Sequence, residues 1–310
     1  MLDAIVWVLR NIGAAFVNLF HALAQPELWL AWVSELGKLE STEAKQALMR
    51  FIYYGGSREF FFVVFTVVLV LTAIGMWKRP VMWGAVRGLE GLANGIGRFA
   101  AWAGLLMVLQ QIVIVFVQRI FVQADLTIGV GMGLDVALTK DISWWAEGLK
   151  FYNAMIVALC VTYTFVQGGH VRVDLIYSRV SHRARKLIDM FGALFFMMPV
   201  AVLTWMYGWY FMWRHLINPP VSASDTLERL MLKARAARWS VETIGFSPNG
   251  FNAYFLFKVL LVFYAGLVFL HAIAFFYRSW LEFVEGPESE GRYLDKDTLG
   301  EGEEIYEGTH

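Results

Sequence analysis

Long apolar runs alternate along this chain with short, strongly polar connections. Phe60 to Trp77, Phe99 to Val117 and Met155 to Val166 contain no charged residue. Runs of about 18 or more apolar residues are long enough to cross a hydrocarbon core of roughly 30 Å. The pattern predicts four strong membrane helices near 99–122, 148–167, 187–213 and 252–277, and a fifth over 60–77, closed by Lys78, Arg79 and Pro80. Residues 3–24 are apolar with a narrow polar stripe of Asp3, Arg10, Asn18, His21 and Gln25, which suits an interfacial helix or a sixth span with its stripe against protein. Residues 27–57 are mixed and predict helix outside the membrane. The span over 187–213 is long enough to tilt or protrude, and Pro199 within it frees the carbonyl of Phe195 and predicts a kink. Trp205, Tyr207, Trp209, Tyr210 and Trp213 crowd its second half as an expected aromatic belt. Gly84, Gly88, Gly91 and Gly95 recur at helical spacing, either as a face for close helix approach or as a flexible loop.

Composition agrees with the pattern. Apolar residues make up 58% and charged residues 17%, where soluble proteins average roughly 25% charged. A soluble enzyme domain is excluded, and the fold class is an all-α, polytopic helical membrane protein. Twenty-six basic and 26 acidic residues cancel, so nothing points to nucleic acid. Cys160, the single cysteine, has no partner for a disulfide or a metal site. Charge also sets orientation. Lys78, Arg79, Arg87 and Arg98, then Arg172, Arg179, Arg183, Arg185 and Lys186, place 78–98 and 169–186 in the cytoplasm and 123–143 outside. The outside loop 214–251 resists this rule, with Arg214, Arg229, Lys233, Arg235 and Arg238. Within it Asp225 is the expected cap of an amphipathic helix with Leu227, Leu230, Met231 and Ala234 on one face. That helix lies on the membrane surface, or its Lys233, Arg235 and Arg238 help seat an acidic partner. Both termini are expected inside, and residues 278–310 read as an acidic disordered tail.

Candidate chemistry is sparse. No span holds a His, Asp or Glu cluster for nucleophilic or hydrolytic work, and no phosphate-binding GxxxxGK[ST] loop is present. The expectation is no enzyme, no catalytic or substrate-binding residue, no metal and no cofactor. The alternative is a redox-complex membrane anchor with haem held by His21 and His271. Two stretches stand out. Trp144-Trp145-Ala146-Glu147 opens the second strong span, with Lys150 one turn on as a local ion-pair partner. Gly168-Gly169-His170-Val171-Arg172-Val173-Asp174-Leu175 follows that span, and Arg172 and Asp174, two apart, cannot satisfy each other on a helix.

These stretches resemble the small membrane subunit, DctQ type, of the tripartite ATP-independent periplasmic (TRAP) transporters. Glu147, Lys150, Gly169, His170, Arg172 and Asp174 carry the likeness, which extends over roughly residues 95–277. It divides the chain into an N-terminal extension (1–94, with one or two extra membrane helices), a four-helix family core (95–277) and the tail (278–310). The first ninety residues, the 214–251 connection and the tail exceed the usual small subunit. The resemblance implies a scaffold without a substrate site, seated in a bacterial inner membrane. Its implied partners are the lipid bilayer, a large sodium-coupled elevator subunit and a periplasmic binding protein for an organic acid or similar solute.

Overall fold

The structure, a computed structural model, describes residues 2–129, 137–168, 179–245 and 247–297. Helix α1 (Leu2–Ala24) is followed by α2 (Glu27–Leu30), a 3-10 turn (Ala31–Glu35), α3 (Thr42–Gly55), α4 (Arg58–Trp77) and α5 (Arg79–Arg119). A hairpin of β1 (Asp125–Gly129) and β2 (Ala137–Asp141) leads into α6 (Ile142–Gln167). Helices α7 (His182–Gly192) and α8 (Met198–Arg214) are joined by one π-helical turn, Ala193–Met197. Strands β3 (Ile217–Asn218) and β4 (Arg238–Trp239) pair around α9 (Leu227–Ala234), and α10 (Phe255–Glu285) ends in a 3-10 turn, Pro287–Ser289. The protein is all-α and polytopic. Among the described residues six helical segments are long and apolar enough to cross a membrane: Asp3–Ala24, Arg58–Trp77, Arg79–Arg119, Ile142–Gln167, His182–Arg214 and Phe255–Glu285.

Local chemistry explains where the boundaries fall. Ser41, Ser57, Asp141, Ser181 and Thr226 each accept a backbone N–H from the first turn of the helix they precede, each cap contributing about 1 kcal/mol. Asp225 is therefore not the cap of α9; Thr226 is. Lys78 alone separates α4 from α5, because Pro80 sits in the first turn of α5, where its missing N–H is no loss. Helix α5 then runs unbroken for 41 residues, about 60 Å, straight through the expected boundary at 94/95. The glycine stripe is thus helical, yet it makes no close approach: a Cβ on Gly84, Gly88, Gly91 or Gly95 would meet nothing within 4 Å. The close contact is two residues further on, on another face. A Cβ on Gly97 would strike the Tyr163 side chain, and buried Ala100 and Ala103 continue the small-residue seam against α6. At Pro199 the expected disturbance takes the form of the π turn, with the Met198 N–H bonded to the Ala193 carbonyl five residues back.

The two ends of the bundle differ in kind. At one end, residues 27–55 and 215–251 fold together into a cap over the close of α8. Rings of Trp32, Phe51, Trp209, Trp213 and Trp239 lie 5.2–6.3 Å apart, over buried Leu48, Met49, Ile52 and Leu230. The expected aromatic belt is here a packing core: Trp209 and Trp213 are buried, and of the five aromatics only Tyr207 is exposed. The reason is a helix terminus. The α3 carbonyls of Ile52, Tyr53 and Gly55 lack intrahelical donors, and Trp209 Nε1, Tyr210 Oη and Trp205 Nε1 donate to them at 2.8, 3.2 and 2.8 Å. Helix α9 likewise turns its apolar face, Leu230 and Ala234, into this core rather than onto a lipid surface.

The other end is ionic. Arg278 of α10 is buried and grips Glu90 of α5 through two hydrogen bonds of 2.6 Å. Glu282, one turn on, pairs with Lys186 of α7 at 2.6 Å, and Lys186 also reaches Glu290 at 3.0 Å. These pairs extend α10 to Glu285 and hold residues 286–297 against the bundle, so the disordered tail expected from 278 does not begin there; residues 298–310 lie outside the described residues. Removing one partner of a buried pair strands the other charge, so Glu90→Ala should lower stability by about 3–5 kcal/mol, and Leu at both Glu90 and Arg278 should recover most of it. Thermal unfolding in detergent checks this; a double variant as unstable as the single one would contradict it.

Candidate functional site

Helix α6 carries Glu147 and Lys150 near its start, and in sequence its end directly precedes the second group of sequence-selected residues. Glu147 lies in its second turn, and Gly168, which closes the helix at φ 79° with its N–H on the Phe165 and Thr164 carbonyls, precedes the second group. The separation is about 30 Å along the axis, the thickness of a hydrocarbon core. Gly169, His170, Arg172 and Asp174 lie outside the described residues.

Glu147 is held by the loop before α10. Its Oε1 accepts from Ser247 Oγ and its Oε2 from the Phe251 N–H, both at 2.9 Å. Lys150 itself is exposed on α6. Gly250 allows the approach, since a Cβ there would collide with Glu147 Oε2 and Ser247 Oγ. Two further contacts reinforce the seam: Trp144 Nε1 donates to Asn252 Oδ1 at 3.1 Å, and Ser143 Oγ to the Asn249 carbonyl at 3.3 Å. Glu147 therefore staples the start of α6 to the start of α10. The loop residues Ser247, Gly250 and Phe251 escape sequence inspection because no periodicity links them to a residue a hundred positions away.

The cap's basic residues divide. Lys233 turns inward, 2.6 Å from Asp225 Oδ2 and 2.9 Å from the Pro220 carbonyl, and Arg229 reaches the other Asp225 oxygen at 3.3 Å. Lys233 is thus committed inside the cap, whereas Arg235 and Arg238 are exposed. Burial pushes the Asp225 carboxyl up, but hydrogen bonds from Lys233 and the Ser222 N–H and the charges of Lys233 and Arg229 outweigh it, leaving a net downward shift. The excess of cations that resists the orientation rule is therefore partly neutralised where it stands.

The two histidines of the haem alternative sit on different helices. His271 is buried on α10, its ring 5.4 Å from that of Phe165 and 6.3 Å from that of Phe275. His21 is exposed on α1, a helix that packs on α4.

Residues 136–233 match the family model of the DctQ component of the tripartite ATP-independent periplasmic transporters. The chain carries a DctQ-type domain. No curated protein and no solved structure matches it. The DctQ match takes in α6 with Glu147 and Lys150, the segment holding Gly169, His170, Arg172 and Asp174, helices α7 and α8, and the cap as far as Lys233. Arg235 and Arg238 fall just beyond it, and α1–α5 and α10 lie outside it. DctQ proteins are transporter subunits, not an enzyme family.

Glu147→Ala leaves a buried-side hydroxyl and a backbone N–H without their acceptor, which should cost about 1–3 kcal/mol; Gly250→Ala should destabilise the same seam. Both are measured as lowered unfolding temperature with unchanged helical content. The lowered Asp225 value gives a pH test of the cap. Its contribution is present above the unfolded value of about 4 and is lost as pH falls through the folded value. Cap tryptophan fluorescence should therefore report loosening in acid, and Asp225→Asn should abolish that pH dependence.

Proposed function

We propose that this protein is the small membrane subunit of a TRAP transporter in a bacterial inner membrane, a static scaffold beside a large sodium-driven elevator subunit. A periplasmic binding protein delivers an organic acid or similar solute to the pair. The observation that carries this reading is the DctQ match over α6, α7 and α8, with Glu147 and Lys150 near the start of one membrane-length helix. The scaffold role is supported by what fixes the chain: buried ion pairs at one end and an aromatic cap at the other hold the long helices as one body. No step of transport is assigned to a residue of this chain. Residues 95–277 then act as the family core, framed by the additions at 1–94 and 278–310.

In this reading the cap faces the periplasm and the ionic end the cytoplasm, with Gly169, His170, Arg172 and Asp174 holding the cytoplasmic side of the assembly. Arg235 and Arg238, exposed on the cap, steer an acidic face of the binding protein, an effect on association rate that salt weakens. Lys233, which the sequence places with them, serves the cap instead.

Co-expression with a large TRAP subunit and its binding protein tests the proposal. The two membrane chains should copurify, and transport should require both and a sodium gradient. A chain that purifies alone and is dispensable for uptake would end this reading. Reversing Arg235 and Arg238 to Glu should slow uptake most at limiting binding protein and low salt, with no change in which solute is carried. A single cysteine introduced at Ser41 in a Cys160-free background should label from the periplasm.

A further inference from the structure

The last described residues do more than trail from α10. Beyond Glu290, Tyr293 seats beside Trp83, ring centroids 5.6 Å apart, with the Arg87 guanidinium over its face at 5.2 Å. The chain then runs across the junction of α5 and α6, where four side chains receive it. Arg98 donates to both Asp295 carboxylate oxygens at 3.0 and 3.1 Å and to Asp297 Oδ1 at 2.6 Å. The Tyr163 hydroxyl donates to the other Asp297 oxygen. Asn94, buried, donates to the Asp295 carbonyl at 2.8 Å. Gln167 donates to that same carbonyl at 3.0 Å and accepts the Asp297 N–H at 2.9 Å.

This is peptide recognition rather than a chance ion pair. Two amide side chains read backbone groups of Asp295 and Asp297, and a guanidinium and a phenol read the two carboxylates that flank Lys296. We propose that Asn94, Arg98, Tyr163 and Gln167 form a docking notch for an acidic Asp-x-Asp segment, and that its ligand is the chain's own Asp295-Lys296-Asp297.

The occupancy is reversible. Arg98, Asp295 and Asp297 keep 44%, 57% and 48% of their side-chain surface in solvent, so the pairs are open to salt screening. The receiving helices do not depend on the strap, since α5 and α6 meet through Gly97 beneath it. Arg98 is also the last charge before the apolar run that begins at Phe99, which places the notch at the membrane edge. Lys296 Nζ lies 3.6 Å from where a Cβ on Gly168 would stand. The docked strap therefore lies beside the end of α6, one residue before Gly169 in sequence.

Trypsin cleavage after Lys296, followed by mass spectrometry on the full chain in phosphatidylcholine nanodiscs, measures docking directly. Arg98→Ala and Gln167→Ala should each accelerate that cut by about tenfold or more, because cleavage follows the population of the open form. Arg235→Ala, at the far end of the molecule, should leave it unchanged. Raising NaCl to about 0.5 M should bring the wild type toward the Arg98→Ala rate. If the bundle variants misfold, Asp295→Asn with Asp297→Asn, confined to the exposed strap, should accelerate the cut beyond the gain that the same changes give in a free strap peptide, where the acids beside Lys296 slow trypsin directly. A wild type cut as fast as Arg98→Ala at low salt would overturn the proposal. So would slow cleavage in phosphatidylcholine with fast cleavage in phosphatidylglycerol nanodiscs, which would make Arg98 a lipid headgroup site instead.

Discussion

A helix that crosses hydrocarbon satisfies its own backbone everywhere except at its ends, and the ends are where this protein spends its polar side chains. Indole and phenol donors close the last turn of α3, Glu147 closes the loop before α10, and a left-handed glycine closes α6. Between those points the long helices need little beyond shape. They meet through small residues such as Gly97, Ala100 and Ala103, which lets backbones approach where the surrounding lipid supplies no hydrophobic drive for association.

The two ends solve the same requirement with different chemistry. The cap uses aromatic mass with a few directed hydrogen bonds, which tolerates an interface with water. The ionic end uses charge, with Glu90, Glu282, Arg278 and Lys186 buried and mutually compensated. Such a network contributes less to stability than its short distances suggest, because desolvation offsets attraction, but it permits one arrangement of α5, α7 and α10 and penalises others. That specificity suits the scaffold role proposed for the chain.

The spans were legible from the sequence because each satisfies a one-dimensional criterion, length without charge. The DctQ likeness was legible for a similar reason: Glu147, Lys150 and Gly169 to Asp174 stand at fixed intervals along one helix and its exit. What composition hid was long-range. Trp209 and Trp213 look like a lipid belt until α3 is placed against them. Lys233 looks like a surface cation until Asp225 is seen beneath it. The stretch 286–297 looks like solvated tail by charge alone, yet its acids meet Lys186 and Arg98 from other helices. Periodicity also chose the wrong glycines, since a regular stripe carries no information about which face has a neighbour.

The π turn between α7 and α8 has a geometric consequence. One residue more than α-helical geometry requires is held within a continuous hydrogen-bonded rod, so the two segments are offset by about 100° in azimuth. The rod thereby presents Lys186 to Glu282 at one end and Trp209 to Ile52 at the other, two targets that a uniform helix of this sequence would not face together. Excising a single residue from Ala193–Met197 would let the rod close as a uniform helix and keep Lys186 and Trp209 in their present relative phase. Forcing the full sequence into a uniform helix would instead act as a twist, swinging the ionic end out of phase with the cap.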